Sequence, residues 1–456
     1  MKKMKILVIL ISIVVQLICF LHIKVIYASD MHSQKLSLSE VVEIALQNNS
    51  QIKESKEKVG EVREEKRSAR SDFFPKLTAS YSYTRLDEIP FMKSPLGSLG
   101  LSNLDNYHWD LTAVQPLFTG FALSNKYKMS KNKIKTQKAE KNTVVLEVVK
   151  NVKQLYFKLL LSKKFAHVAA ESVQNLMLHK KNAEKFYAQG IIPYNDLLRA
   201  KVALANVVQN KEKADAGVRI ATSGLNILLN RDIDSKIDIK DIHSIPSFST
   251  DFNAIAKDAL LNRPELKAAR LAVKSIDNGI NIVRSSYYPH IALVYRYEQN
   301  GENSSATSND YSNMYNSSIT LKADWTLFQW GKTKANVSAY RYKKRSILEK
   351  LESIKNGIMF ETKNAFLDLN VAKKNINTAK DSLAQAKENW RITNLQYQQQ
   401  IATSTEVLDA RTFLTQAETN YYQALYGYLI SIAKLERAMG RDHKESVLNK
   451  NTYATS

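Results

Sequence analysis

The sequence of 456 residues has a formal net charge of +22 at pH 7, and 44% of its residues are hydrophobic. A chain of this length can bury a sizeable core, and its single cysteine, Cys19, excludes a fold held together by disulfide bonds within the chain. The positive surplus is compatible with binding to nucleic acid or anionic lipid, and also with solvated helix faces that bind nothing.

Residues 1–28 are predicted to be a secretory signal peptide. A basic start precedes an apolar run from Ile6 to Leu21, and the small residue Ala28 suits a cleavage point. The alternative is an uncleaved membrane anchor. Loss of residues 1–28 removes four lysines and leaves a net charge of +18. An exported protein rarely meets nucleic acid, so nucleic acid is not expected as a partner.

Four stretches alternate between apolar and polar residues, which predicts β-strands. The strands are expected at about residues 76–86, 107–118, 289–299 and 316–328. Each has about the length that crosses a bilayer when tilted, and Tyr and Trp concentrate at the strand ends as in an interfacial belt. Polar loops are expected at 87–106 and 299–313. The pattern favours a membrane barrel over two soluble hairpins.

A long helical hairpin is predicted after each pair of strands. Within Ile358–Gly440, large apolar residues and alanines recur in steps of four and three, which is the heptad pattern of helices that pack along one another. Gly120 and Gly331 mark the return from strand to helix. Each first helix is expected to run about 69 residues, or roughly 100 Å, before turning near Gly190 or Gln400.

The same order of elements occurs twice, which predicts an internal repeat. Residues 29–230 form the first predicted repeat and residues 251–440 the second. They are joined by a linker or equatorial strap at 231–250 and followed by a polar tail at 441–456. The first helix of the first repeat is expected to be capped by Ser39.

Four strands per chain cannot close a barrel, and an open sheet edge is not tolerated in lipid. The chain is therefore expected to oligomerise, and three copies would supply twelve strands. The predicted fold class is a membrane β-barrel combined with a long α-helical coiled-coil barrel.

Six short motifs, in order and partly duplicated, carry a resemblance to a known family. They are Leu38–Leu46, Gln115–Gly120, Ala259–Ala268, Leu327–Gly331, Glu406–Ala410 and Leu435–Gly440. Through them nearly the whole mature chain resembles the TolC-type outer-membrane factors of bacterial efflux and type I secretion. The resemblance implies a homotrimer with a twelve-strand barrel in the outer membrane and a twelve-helix tunnel in the periplasm. A periplasmic adaptor protein and an inner-membrane transporter would dock at the helical tips.

Catalytic chemistry is not indicated. The seven histidines of the mature chain lack the spacing of metal ligands, and no phosphate-binding loop or nucleophile elbow is present in the sequence. We therefore expect no enzyme activity, no cofactor and no metal site.

Glu406 and Asp409 are three residues apart and so lie on one face of a helix. They could be two solvated acids. The resemblance implies instead that they match the acidic pair that lines the periplasmic constriction of the family.

The resemblance also implies a gate network at the tip. Asp196 and Tyr397 match positions of that network, but Ala402 stands where the family places an arginine. Another cation could substitute, the candidates being Arg199, Lys201 and Arg391, or the resting tip could be held more loosely. We expect the looser tip because none of the three candidates lies at the matching place on the turn. The turn residues expected to contact an adaptor are Gly190, Ile191, Gln400 and Ile401.

These observations together predict a trimeric exit duct of a tripartite efflux pump or type I secretion system, passive and gated at its periplasmic tip. The alternative is a periplasmic coiled-coil scaffold or adaptor held by an uncleaved N-terminal helix.

Overall fold

The computed structural model of the chain describes residues 35–95, 97–242, 246, 248, 251–441, 446 and 448. The predicted signal peptide at 1–28 and most of the predicted tail at 441–456 lie outside these residues. The helices are α1 (Leu38–Asn48), α2 (Ser50–Ser71), α3 (Ala122–Ala188), α4 (Tyr194–Leu228), α5 (Phe252–Asn262), α6 (Pro264–Arg284), α7 (Lys332–Gln398) and α8 (Ser404–Ala438). The strands are β1 (Lys76–Arg85), β2 (Phe91–Ser94), β3 (Gly97–Gly100), β4 (Asp105–Thr119), β5 (His290–Gly301) and β6 (Tyr315–Asp324).

The cap of the first helix lies two residues earlier than the sequence suggested. Ser37, and not Ser39, caps α1: the Ser37 amide donates to Glu40 Oε2 at 2.7 Å, and the Glu40 amide donates to Ser37 Oγ at 3.4 Å. The prediction of Ser39 is wrong because only Ser37 has a glutamate three residues on, which allows this reciprocal capping box. Asn49 then caps α2, so the two helices follow one another without a loop.

The four long strands form one antiparallel sheet in the order β1-β4-β5-β6. In the part of the chain that the structure describes, β1 and β6 each pair on one side only. The fourth strand was predicted to reach residue 328 but ends at Asp324. Asp324 lies opposite His290, the first residue of β5, and Pro289 before it has no amide hydrogen. The neighbouring strand therefore begins at His290 with no backbone donor before it at Pro289, and among the described residues β6 has no strand partner beyond Asp324.

The segment predicted as a polar loop at 87–106 contains a second, smaller hairpin. Strands β2 and β3 pair antiparallel from Phe91 opposite Gly100 to Ser94 opposite Gly97. Gly97 has a φ of 126°, which glycine adopts at little steric cost. The simple polar loop is thus wrong for the first repeat: Phe91, Met92 and Leu99 are all large, apolar and exposed.

The helices α3 and α7 have 67 residues each, which corresponds to roughly 100 Å. Their partners α4 and α8 have 35 residues each and return only about half of that distance. In the half nearer the sheet, helices contact one another in the order α2-α3-α6-α7. In the far half the order is α4-α3-α8-α7, so the hairpin α3/α4 meets the hairpin α7/α8 along α3 and α8. Among the described residues, no helix has the combination of length and apolar composition that crossing a membrane requires.

The largest hydrophobic core lies midway along the long helices, and we call this level the belt. Tyr156 and Phe157 of α3 pack there with Ile432 and Leu435 of α8 and Leu38 of α1, all almost fully buried. The connecting segment 231–242 crosses the same level. The Tyr156 hydroxyl donates to the Lys240 carbonyl at 2.6 Å, and the Tyr426 hydroxyl donates to Asp241 Oδ1 at 2.8 Å. The segment thus contacts both hairpins at once.

Candidate functional site: the hairpin tips and the polar seam

Both helical hairpins turn in the same way. The Ile191 amide donates to the Phe186 carbonyl and the Gly190 amide to the Tyr187 carbonyl, which is a Schellman motif. The second hairpin repeats both bonds, from Ile401 to Gln396 and from Gln400 to Tyr397. The motif needs a left-handed residue, and the φ values are 71° at Gly190 and 64° at Gln400. The second tip therefore places a glutamine in a conformation that favours glycine.

Each turn presents one apolar side chain to solvent. Ile191 is 43% exposed and Ile401 is 75% exposed. They occupy the same position of the two Schellman motifs, directly after the left-handed residue. The two hairpins therefore carry exposed apolar side chains at matching positions of their ends.

Just above the tips, the two hairpins are joined by a buried histidine. The His179 ring of α3 is 3% exposed, and its Nε2 atom lies 2.9 Å from the hydroxyl oxygen of Ser404 at the start of α8. His179 Nδ1 is buried without a hydrogen-bond partner. The ring also packs 4.7 Å from that of Tyr397. Burial lowers the pKa of His179 to about 4, so the neutral ring is the form that this junction holds.

Tyr397 completes the junction from α7. Its ring packs against Phe186 as well as His179, and its hydroxyl is buried without a hydrogen bond of good geometry. Burial raises the pKa of Tyr397, the nearby Ser404 hydroxyl opposes that rise, and the charge of Asp196 adds to it. The structure therefore brings the predicted pair Asp196 and Tyr397 into one neighbourhood, without a direct hydrogen bond between their side chains.

A second bond between the hairpins involves one of the candidate substitute cations. Arg199 Nη1 on α4 donates to Thr405 Oγ1 on α8 at 2.9 Å. Arg391 instead pairs with Glu388 on its own helix at 2.7 Å, and Ala402 is half-buried in the turn. The Arg199 bond is an arginine bridge from the opposite hairpin and so fits the alternative in which another cation substitutes, whereas the looser tip stays a prediction.

The two predicted ring acids differ in their surroundings. Glu406 Oε2 accepts from the Thr403 amide at 2.6 Å and from the Thr403 hydroxyl at 2.9 Å, as the acidic member of a capping box. These two hydrogen bonds hold the pKa of Glu406 below its usual value. Asp409 is exposed and has no such bond among the described contacts. Of the pair, Asp409 is the carboxylate without a hydrogen bond among the described contacts.

Further towards the belt, Arg411 of α8 is buried against α3. Its Nη2 atom donates to Ser172 Oγ at 2.8 Å and lies 3.7 Å from Glu418 Oε2. Arg411 Nε and Glu418 Oε2 have no hydrogen-bond partner. Burial lowers the pKa of Arg411 and raises that of Glu418. This ion pair is therefore buried but incompletely satisfied.

These contacts lie on a regular line. Ser172 and His179 are seven residues apart on α3, and Ser404, Arg411 and Glu418 follow the same spacing on α8. All five are more than nine-tenths buried. We call these five residues the polar seam. Helices within each hairpin pack largely through apolar residues and alanine, whereas the two hairpins meet in this region through hydrogen bonds. The Arg411–Glu418 charge pair lies within α8 and is buried at this contact.

The sequence reasoning missed the polar seam. The histidines were considered only as metal ligands, and the heptads only as patterns of apolar residues and alanine. The signal that could have revealed the seam was the seven-residue spacing of polar side chains on two helices that were already predicted to be adjacent.

The described residues contain no cluster of His, Cys, Asp or Glu that could hold a metal ion. The polar side chains near the tips instead form hydrogen bonds between the two hairpins of the chain. They hold the two helical hairpins together.

The sequence and the fold of the chain are similar to those of known proteins. A family profile described as "Outer membrane efflux protein" matches residues 41–231 and 255–441. The outer membrane protein TolC of Vibrio cholerae is 21% identical over 423 residues, which cover 91% of this chain and 93% of that protein. TolC of Salmonella enteritidis is 25% identical over 218 residues, 46% of this chain, and that match spans only 44% of the relative. The crystal structure of the Campylobacter jejuni CmeC outer membrane channel has the same fold, with a TM-score of 0.77, 18% identity and coverage of 91% and 88%.

Proposed function

Because the chain belongs to the family of outer membrane efflux proteins, we propose that it is the exit duct of a tripartite efflux pump or type I secretion system. It is a transport protein of the outer membrane that extends into the periplasm. The duct would lower the barrier to export by offering a continuous water-filled path, and its partners would be a periplasmic adaptor protein and an inner-membrane transporter.

The open edges of the chain carry this proposal. The sheet ends in β1 and β6, and the helical layer beneath it ends in α2 and α7, which are their neighbours along the chain. A sheet with unpaired edges is not stable in lipid, so each copy must meet another along both layers. Three copies would close a twelve-strand barrel above a twelve-helix tunnel.

We assign the gate to the polar seam and the tips. Arg411 and Glu418 both belong to α8 and are buried where α8 meets α3, and desolvation of such a pair offsets most of its attraction. Separation of the hairpins would return both charges to water. The seam would therefore separate more readily than the apolar contacts within each hairpin. Opening would move the hairpin α7/α8 against α3/α4, breaking the bonds from His179 to Ser404 and from Arg199 to Thr405. Asp196 and Tyr397 belong to the same network.

The adaptor would bind at the turns. Gly190 and Gln400 shape the two turns, and Ile191 and Ile401 present the apolar side chains. The Asp409 side chains of three copies would form an acidic ring. Glu406 would add negative charge to this ring, but one of its carboxylate oxygens already accepts hydrogen bonds from Thr403. Such a ring attracts cations.

The proposal is tested with the full chain purified from outer membranes in detergent. Light scattering should give the mass of a trimer, and planar bilayers should show discrete conductance steps. A stable folded monomer, or trimers that never conduct even at acidic pH, would contradict it. Recovery of the protein from the inner-membrane fraction would favour the anchored periplasmic scaffold instead.

A further inference from the structure

The positive charge of the chain is concentrated in two segments at equivalent places in the two repeats. They are residues 122–141 of α3 and residues 332–355 of α7, and we call them together the basic collar. The collar contains 15 basic and 3 acidic residues, a surplus of 12 out of the +18 carried by residues 29–456. The remaining length of α7, residues 356–398, has six basic and four acidic residues.

The collar charges are exposed and largely unpaired within the chain. Six of the seven lysines in 122–141 are exposed, and so are seven of the eight basic residues in 332–355. Ion pairs involve only Lys126, Lys133, Lys344 and Lys355 among the described residues. The neighbouring α2 does not compensate, because it has seven basic and five acidic residues itself. The collar thus produces a positive field that its own neighbours leave unbalanced.

The collar has a defined position and depth. Its two segments begin directly after Gly120 and Gly331, where the chain leaves the sheet. They extend roughly 30 Å and 36 Å along the helices. The field of anionic lipid headgroups falls off within a Debye length of about 8 Å, which corresponds to the first turns of each segment. Four of the 15 basic residues lie there, namely Lys126, Lys128, Lys332 and Lys334, and eleven lie deeper.

We propose that the basic collar binds an extended anionic polymer of the periplasm, namely peptidoglycan, through the carboxylates of its peptides. The inference builds on the proposed function, which directs this end of the helices towards the outer membrane. A polymer strand can contact charges spread over three nanometres of helix, whereas a headgroup layer cannot. Binding would hold the duct upright where it passes through the cell wall.

The test is co-sedimentation of the purified full-length protein with isolated peptidoglycan sacculi at about 50 mM and about 150 mM salt, since screening weakens such contacts. The collar variant carries four changes at lysines without ion pairs: Lys128→Gln, Lys131→Gln, Lys135→Gln and Lys138→Gln. The matched control carries the same number of changes at exposed lysines far from the sheet: Lys373→Gln, Lys374→Gln, Lys380→Gln and Lys387→Gln.

We expect the parent and the control variant to sediment alike and the collar variant to bind about tenfold more weakly or worse, with a smaller dependence on salt. Absence of sedimentation at the lower salt, or equal losses in both variants, would overturn the proposal. Vesicles of phosphatidylcholine and phosphatidylglycerol that retain the protein better than sacculi do would assign the collar to lipid. A collar variant that elutes as a monomer would assign it to the contact between copies. The two proposals can fail separately. If only the proposed function is wrong, the parent will not conduct in planar bilayers but will still sediment with the sacculi.

Discussion

The His179 ring and the Ser404 hydroxyl are joined at 2.9 Å across 225 residues of sequence. The bond connects the first hairpin to the second at the place where the second begins its return helix. The bond is buried, and the other ring nitrogen of His179, Nδ1, has no hydrogen-bond partner. An apolar residue at either position could not form this hydrogen bond.

We expect the tip to loosen as the medium becomes acidic. The pKa of His179 is lowered by burial from 6.5 to about 4, so the unfolded or separated state binds the proton more tightly. The contribution of this junction is full above pH 6.5 and is lost as the pH falls towards 4, and a shift of this size corresponds to about 3 kcal/mol. Resting conductance in planar bilayers should rise over this range. His179→Gln should remove the rise, because glutamine bonds Ser404 without titrating, and a rise that persists in this variant would exclude His179.

The Arg199 bond should help to keep the tip closed. Arg199→Ala removes the donor to Thr405 and should raise the resting conductance, while Thr405→Val should have the same effect. The two changes combined should add little to either alone, since both delete one bond. Lys201→Ala is the matched control on the same helix. If Arg199→Ala trimers open no more often than Lys201→Ala trimers, the bond does not contribute to closure.

An arginine at position 402 should strengthen closure further. Ala402→Arg places a planar donor on the turn, and we expect a charge-assisted bond from it to Asp196 to lower the resting conductance. Adding Asp196→Ala should remove that gain. Gln399→Arg adds the same charge to an exposed position of the same turn and should leave conductance unchanged. Equal currents from parent and Ala402→Arg trimers would show that the gate does not use this position.

Ion selectivity should depend more on Asp409 than on Glu406. The Glu406 carboxylate is occupied by the Thr403 amide and hydroxyl, whereas the Asp409 carboxylate is free. Asp409→Asn should therefore reduce the preference for cations more strongly, as measured by the reversal potential under a salt gradient. Asp381→Asn removes an exposed acid elsewhere on the second hairpin and serves as the control. A reversal potential that responds only to Glu406→Gln would reverse this assignment.

The second turn should gain stability from glycine. Gln400 adopts a φ of 64°, and relief of that strain by Gln400→Gly should raise the free energy of unfolding by about 1 kcal/mol. The reciprocal change, Gly190→Gln, should lower it by a similar amount. Thermal or denaturant unfolding measures both. A loss of stability in Gln400→Gly would mean that the glutamine side chain makes a contact stronger than the backbone strain.

Much of the architecture could be predicted because it depends on periodic patterns. The alternating residues around Tyr295 and Ile319 and the heptads of α7 and α8 are repeated signals that tolerate local exceptions. Local choices were less predictable. Ser37 and Ser39 are both acceptable caps, and only the position of Glu40 decides between them. The end of β6 depends on where its neighbour β5 starts, which is information from a distant part of the chain.

The candidate site was harder to predict for a related reason. The importance of His179 depends on Ser404, and that of Arg199 on Thr405, so each pair is meaningful only after two hairpins have been placed side by side. The sequence showed Ala402 in place of an arginine, but it could not show that an arginine on the opposite hairpin reaches across.

The position of the belt has a mechanical consequence. The helix α3 extends roughly 42 Å from Leu160, at the edge of the belt core, to its end at Ala188. Over this length it contacts mainly its neighbouring helices α4 and α8. If the gate opens as proposed, the belt would act as a fulcrum and each hairpin as a lever, so a tilt of about 5° would displace the tip by about 4 Å. A partner that binds only Ile191 and Ile401 would act at the greatest distance from the belt. A small force applied there would therefore be enough to tilt the hairpins about the belt.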